Sequence, residues 1–284
     1  MHYKVIVTNH VVEVYQMERA PAGGQRELDV GEPIGYRERY LTDDGEQRSR
    51  LLPFAGQGGV NKEFWEDKDN KGDRVTQRRM QTLRDARNKC RRLAIANFNA
   101  ESLFITLTYA SEMEQLEDQV SVSDKHFKAF IRKLSNRGKD KFDYIAVREF
   151  TKRGRVHYHM ICNAPLSWQD NDELRALERK IGEEVWCHGF VDIQRMNKTK
   201  KGQNVDNVGA YLTKYMTKEV NEERLKGKKA YLSSKGLAQP EVFNGIEALK
   251  IVEAMKTKKE TFTNEYDSEY LGKINYLEYN LLRS

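Results

Sequence analysis

Hydrophobic residues alternate at the start of the chain. Val5, Val7, Val11, Val12 and Val14 flank Asn9-His10, a pattern that predicts a β-hairpin over residues 3–15. Residues 18–72 are rich in Gly, Asp, Arg and Glu, and are expected to be loops with little regular structure. From Arg74 to about Asn97, Met80, Leu83, Cys90 and Ala94 recur at helical spacing, with arginines over the remaining faces. Leu103–Tyr109 is β-branched and aromatic, a strand. Ser123 is expected to cap a helix that carries Phe127, Phe130, Ile131 and Leu134 and ends near Gly138. Phe142–Phe150 and Val156–Cys162 predict two strands separated by a basic turn. Ser167 to about Trp186 reads as a helix with Leu174, Leu177, Ile181 and Val185 on one face. Phe190–Met196 reads as a strand and Asp206–Val220 as a helix.

The order strand-helix-strand-strand-helix-strand, followed by a helix, predicts an α+β fold of the ferredoxin-like or RRM-like kind. In it four antiparallel strands carry helices on one face and leave the other open, a face that nucleic-acid binders commonly use. Beyond it, a basic stretch (Lys226, Lys228, Lys229), Tyr231-Leu232 and Pro240 lead to a predicted helix through Met255 and two closing strands. The expected organisation is an N-terminal hairpin and loop extension (1–70), a central domain (71–222) and a C-terminal extension (223–284).

Composition narrows the class. Of 284 residues 32% are charged and 38% hydrophobic, while 10% are aromatic, too many for a disordered chain. No apolar run approaches the roughly 18 residues that span a bilayer, and Met1–Thr8 is no secretory leader, so no membrane partner is expected. The cysteines, Cys90, Cys162 and Cys187, lack CxxC spacing, which argues for a reducing compartment and against a four-Cys zinc site. Charge is uneven: Lys71–Arg92 holds nine Lys/Arg and two acids, net +7, so the rest of the chain sums to −1. Such a concentrated field suits a polyanion, nucleic acid being the commonest, though a solvated helix face has the same composition. No GxxxxGK[ST] loop is present, so no nucleotide cofactor is expected.

His157 and His159 lie two apart on a predicted strand and so share a face. A three-residue turn at Lys152-Arg153-Gly154, with Gly154 in the left-handed position, sets Thr151 opposite Arg155 and Glu149 opposite His157. Glu149, His157 and His159 then share one side of the sheet; a four-residue turn would send Glu149 to the other. Two imidazoles and a carboxylate suit Mg²⁺ or Mn²⁺ acting on phosphate, and would accept Zn²⁺ or Co²⁺. The rival is a structural zinc site recruiting Cys162, Cys187 or His188, but their spacing is not finger-like and Cys162 points away from His159.

Tyr211, Lys214, Tyr215 and Lys218 form one helical stripe beside a second, apolar stripe of Val205, Val208, Leu212, Met216 and Val220. At about 100° per residue the tyrosines sit on the shoulder of the apolar face and the lysines farther out. A phenol is a feasible nucleophile toward a phosphodiester when a metal polarises the phosphate. The plainer reading is a pair of core-margin tyrosines with snorkelling lysines.

Taken together these motifs resemble an HUH endonuclease, of the two-tyrosine branch of rolling-circle replication initiators found in microviruses and plasmids. Phe104, Thr106, Thr108 and Tyr109 resemble the first motif, a strand whose end approaches DNA. His157-Tyr158-His159 resembles the metal motif with Glu149 as its extra carboxylate, and Tyr211-x-x-Lys214-Tyr215-x-x-Lys218 resembles the catalytic motif. The resemblance covers about residues 74–240. It implies the HUH version of the fold, a divalent metal on Glu149, His157 and His159, and nicking of single-stranded or hairpin origin DNA through a 5′-phosphotyrosine. Tyr211 and Tyr215 would be the nucleophiles, with Lys214 and Lys218 neutralising the phosphate. DNA contacts are expected at Thr106, Thr108, Arg78, Arg79, Arg153 and Arg155. A host helicase and DNA polymerase are the expected partners, in the cytoplasm of a bacterial host. A non-catalytic single-strand binder remains open, as does an HUH transposase or relaxase, although the late tyrosine pair counts against those two.

Overall fold

The structure, a computed structural model, describes residues 1–20, 36–41, 47–52, 71–110, 119–138, 141–151, 154–197, 207–216, 225, 227–268 and 270–283. For 36–41, 47–52 and 71–78 it describes the backbone alone. The chain is a mixed α+β protein that divides into two compact units, 71–238 and the two chain ends, 1–70 with 239–284. None of its described helices is long and apolar enough to cross a membrane.

In the terminal unit, β1 (His2–Thr8) and β2 (Val11–Met17) make the expected hairpin, with Asn9 in the left-handed conformation at the turn. The C-terminal residues join it. β10 (Glu241–Asn244) pairs with β1, and β12 (Gly272–Asn280) pairs with β2 and with β11 (Phe262–Ser268), giving the antiparallel order β10-β1-β2-β12-β11. α5 (Gly245–Met255) lays Ala248 against Val5, Val12, Val14 and Tyr279. The regions expected as separate extensions thus contribute to one sheet, and residues 223–238 go with the other unit. Within 18–72, expected to lack regular structure, β3 (Tyr36–Leu41) and β4 (Gln47–Leu52) form a backbone-paired hairpin. Their neighbours 21–35, 42–46 and 53–70 lie outside the described residues.

The second unit is built on an antiparallel sheet of order β8-β5-β7-β6-β9. Its strands are β5 (Leu103–Tyr109), β6 (Tyr144–Phe150), β7 (Val156–Cys162), β8 (Gly189–Arg195) and β9 (Tyr231–Ser233). Alternation gives each strand two apolar faces. Leu103, Ile105, Leu107, Tyr158 and Met160 pack under Phe127, Phe130 and Leu134 of α2 (Gln119–Ser135) and under Leu174 and Ile181 of α3 (Asn171–Ile181). Past Ile181 the chain makes a π-turn, Gly182–Trp186. α2 begins a turn before Ser123, so Ser123 does not cap it; its buried hydroxyl donates to the Val120 carbonyl and lies 2.9 Å from the Tyr158 hydroxyl.

The other face was expected to be open, and much of it is not. Phe104, Ile145, Val147 and Ile161 pack against Cys90, Leu93 and Ala94 of α1 (Lys71–Asn97), against Phe98 just past its end, and against Val208, Leu212 and Met216. α4 (Val208–Thr213) continues as a 3₁₀ turn through Met216, and the rest of the expected helix, 217–220, lies outside the described residues. The two covering helices touch because of Gly209. A Cβ there would run into the carbonyl oxygen of Arg91. Burial of α1's apolar stripe under this contact is why the sheet face is filled rather than free.

Candidate functional site

The site begins with a turn. Gly154 sits at φ 80°, its N–H donates to the Thr151 carbonyl at 2.8 Å, and the Thr151 N–H donates to the Arg155 carbonyl at 2.9 Å. This three-residue connection pairs Phe150 with Val156 and Glu149 with His157. His159 pairs with Val147 on one side and Thr106 on the other, and Thr108 pairs with His157. Glu149, His157, His159, Thr106 and Thr108 therefore share the face on which α4 lies.

His159 is 5% exposed and held at both nitrogens. Nδ1 lies 3.2 Å from the Thr106 hydroxyl, and Nε2 is 2.8 Å from Oε2 of Glu149. The half-buried His157 lies with its ring centroid 6.1 Å from that of His159. Among the described residues, no three His, Cys, Asp or Glu side chains stand grouped as a metal would hold them, since the carboxylate and the inner imidazole engage each other. The donor chemistry nevertheless fits a small divalent cation: one carboxylate and two imidazoles on one face, with Thr106 fixing one imidazole from behind. Cys162 is no candidate ligand for these histidines. It is buried in the core under the opposite face, and burial pushes its thiol up to about 12.

α4 starts at Asn207, whose side chain accepts from the Ala210 N–H at 2.9 Å. The helix brings both phenols over this face. The Tyr215 ring stacks on His159 with centroids 3.7 Å apart at 19°. Tyr211 meets Phe104 edge-on at 4.9 Å and accepts a hydrogen bond from Gln194 Nε2 at 2.9 Å. The Lys214 ammonium lies over the Tyr211 ring at 3.5 Å and 4.7 Å from the centre of Tyr215. Tyr215 is pushed well above the usual phenol range, first by burial, then by the neighbouring Tyr211 phenol and its hydrogen bond, and by the charges of Glu149 and Asp192.

Lys218, Arg153 and the side chain of Arg78 lie outside the described residues. Arg79 on α1 and Arg155 in the turn are half-buried; the Arg155 backbone N–H donates to the Thr151 hydroxyl. Sequence reasoning missed Gln194 and Asp192. Both follow from β8 alternation once β8 is placed beside β5, where Gln194 faces Phe104 and Asp192 faces Thr106.

The strands that carry the site are anchored from behind. Arg148, 1% exposed, donates through Nε and Nη2 to Asp124 of α2 at 2.8 and 2.7 Å, and through Nη1 to the Lys229 carbonyl. Tyr158, between the two histidines in sequence, donates from the opposite face to Asp124. Removing one member of such a pair strands the other charge. Asp124→Ala is expected to cost about 3–5 kcal/mol in urea denaturation.

At the same end of the sheet, under α2, His126 and His188 stack at 3.7 Å and 12°, with Tyr109 Oη 3.1 Å from His126 Nδ1. Burial lowers both imidazoles, and His188 is lowered further by His126 and Lys133. Unfolded, each takes up a proton near pH 6.5, whereas folded each resists it. The unfolded chain thus binds more protons below that pH, and stability falls as pH drops. The melting temperature is expected to decline from about pH 7 to about pH 5, with a shallower slope in His188→Phe.

Comparison with known proteins agrees with this region. Residues 102–220 match a family of replication-associated proteins, the one that carries the ORF2 designation. The match is consistent with a rolling-circle replication initiator and supports a role in DNA replication. The matched stretch runs from the start of β5 past the tyrosine pair. No curated protein matches the chain, and no solved structure matches it.

Proposed function

We propose that the chain initiates and ends rolling-circle replication by nicking and rejoining single-stranded or hairpin origin DNA through Tyr211 and Tyr215. The observation that carries the reading is the stacking of Tyr215 on His159, whose Nε2 meets Glu149: a nucleophile candidate lies directly on the imidazole and carboxylate face. The antiparallel strand order β8-β5-β7-β6 and the family match over it support reading the sheet as the ferredoxin-like one expected of an HUH endonuclease.

In the first transfer one phenol oxygen forms a bond to the scissile phosphorus and the bond from phosphorus to O3′ breaks. The 3′ oxygen leaves with a proton, and the downstream strand stays attached as a 5′-phosphotyrosine. After a round of synthesis the second phenol repeats the cut at the regenerated junction, and the released 3′-OH attacks the first phosphotyrosine to close the circle. Each step exchanges one phosphodiester for another, so joining needs no nucleotide cofactor. Lys214 and Lys218 offset phosphate charge, and the basic helix α1 tracks the DNA backbone with salt-dependent affinity. A Mg²⁺ or Mn²⁺ ion held by Glu149, His157 and His159 would supply positive charge to the phosphate oxygens. A host helicase and polymerase would work with the protein in the cytoplasm of a bacterial host.

The test uses oligonucleotides from the intergenic hairpins of the parent replicon with Mn²⁺ or Mg²⁺. The expected product is a protein–DNA adduct that survives boiling in detergent and is abolished by chelator. Retention of DNA without cleavage in any metal would instead identify a non-catalytic binder.

A further inference from the structure

Among the described residues of 71–238, Phe190 is the one large apolar side chain that stands in solvent, 72% exposed. A single exposed apolar residue is ordinary on a protein surface. Its position is what sets this one apart. Phe190 pairs with Thr108, Thr108 with His157, and His157 with Glu149, so the four form one row across the site face. At about 4.8 Å per strand, Phe190 lies roughly 10 Å from His157, a span of about one to two nucleotides of an extended strand. The backbone fixes this placement: a Cβ on Gly189, at φ 148°, would overlap the Thr108 carbonyl, so β8 begins hard against β5.

β8 is an edge strand, and Phe190 also walls a surface concavity with Glu178, Arg179, Glu183 and Cys187. That wall carries two carboxylates and one guanidinium, a net negative charge that does not attract phosphate oxygens. The surface therefore suits the uncharged face of a base better than the backbone. Every base presents such a face, and an exposed aromatic ring holds it without reading sequence.

We propose that Phe190 is a stacking platform for one unpaired base beside the phosphate under attack. The proposal rests on, and deepens, the reading of the site as a DNA strand transferase.

The full chain is titrated, with chelator present, against a fluorescein-labelled single strand of about 16 nucleotides from the same hairpins, read by anisotropy. A second set carries 2-aminopurine at one position at a time, read by quenching. Phe190→Ala is expected to weaken binding about 5- to 150-fold and to abolish quenching at one position. Phe190→Trp is expected to retain affinity within about threefold, whereas Phe190→Leu behaves as the alanine variant. Unchanged affinity in Phe190→Ala, or equal retention by Leu and Trp, overturns the platform. A wild-type adduct together with unchanged binding by Phe190→Ala removes the platform alone. Position-specific quenching without an adduct in any metal removes the transferase reading and leaves the platform standing.

Discussion

The double substitution Tyr211→Phe/Tyr215→Phe is expected to give no covalent adduct with a hairpin oligonucleotide, while either single substitution still nicks it. Loss of every nucleophile removes the step itself, and the fall in rate is expected to be about 10⁶-fold, at the level of nucleophile deletions in other covalent enzymes. The single variants separate the two transfers. One phenol suffices for one cut, so nicked product and one mapped phosphotyrosine remain. Closing the circle needs a second cut, and circular product should disappear in both. Phenylalanine keeps the ring contacts with Phe104 and His159, so the loss cannot be assigned to packing. The phenols are not equivalent: Gln194 donates to Tyr211, while burial, Glu149 and Asp192 disfavour the ionised form of Tyr215. Adduct from the double variant would remove both residues from the chemistry.

The hairpin that presents Glu149 and His157 is legible in the sequence because its determinants are local. A glycine at the third turn position and two alternating strands fix the register over a few residues, and Gly154 adopts the left-handed conformation that such a turn requires. The stripe of Tyr211, Lys214 and Tyr215 is local in the same way. What is not legible depends on residues far apart in the chain. The pairing of β5 with β8 brings Gln194 and Asp192 to the tyrosines across more than eighty positions, and no turn residue specifies it. The pairing of β2 with β12 joins the two chain ends, and either strand alone reads only as an amphipathic segment. The covering of the sheet by α1 was obscured by charge. Its arginines read as a polyanion-binding face, while Cys90, Leu93 and Ala94, with Phe98 just past its end, supply the face that packs. Ser123 falls one turn inside α2, and a serine before an apolar run carries a cap signal whether or not the helix has already begun.

Replacing His157 with alanine is expected to lower adduct formation in Mn²⁺ on the order of 10³-fold while leaving the fold and DNA binding in chelator unchanged. His157 is half-buried and outside the apolar clusters, so truncation opens no core cavity. Its removal leaves only Glu149 and His159, which already hydrogen-bond each other, of the three donors proposed to hold the cation. A third donor is what would draw that pair apart around a cation, so the loss should persist at any metal concentration. Thr106→Val makes the contrasting case. It deletes the hydroxyl beside Nδ1 of His159 but keeps all three donors, and outer contacts of this kind alter metal affinity by about 10- to 100-fold. Adduct formation by Thr106→Val should therefore recover as Mn²⁺ is raised, and that of His157→Ala should not. Normal adduct from His157→Ala would mean that Glu149 and His159 form only a buried ion pair supporting Tyr215, and the cation would have to be sought elsewhere.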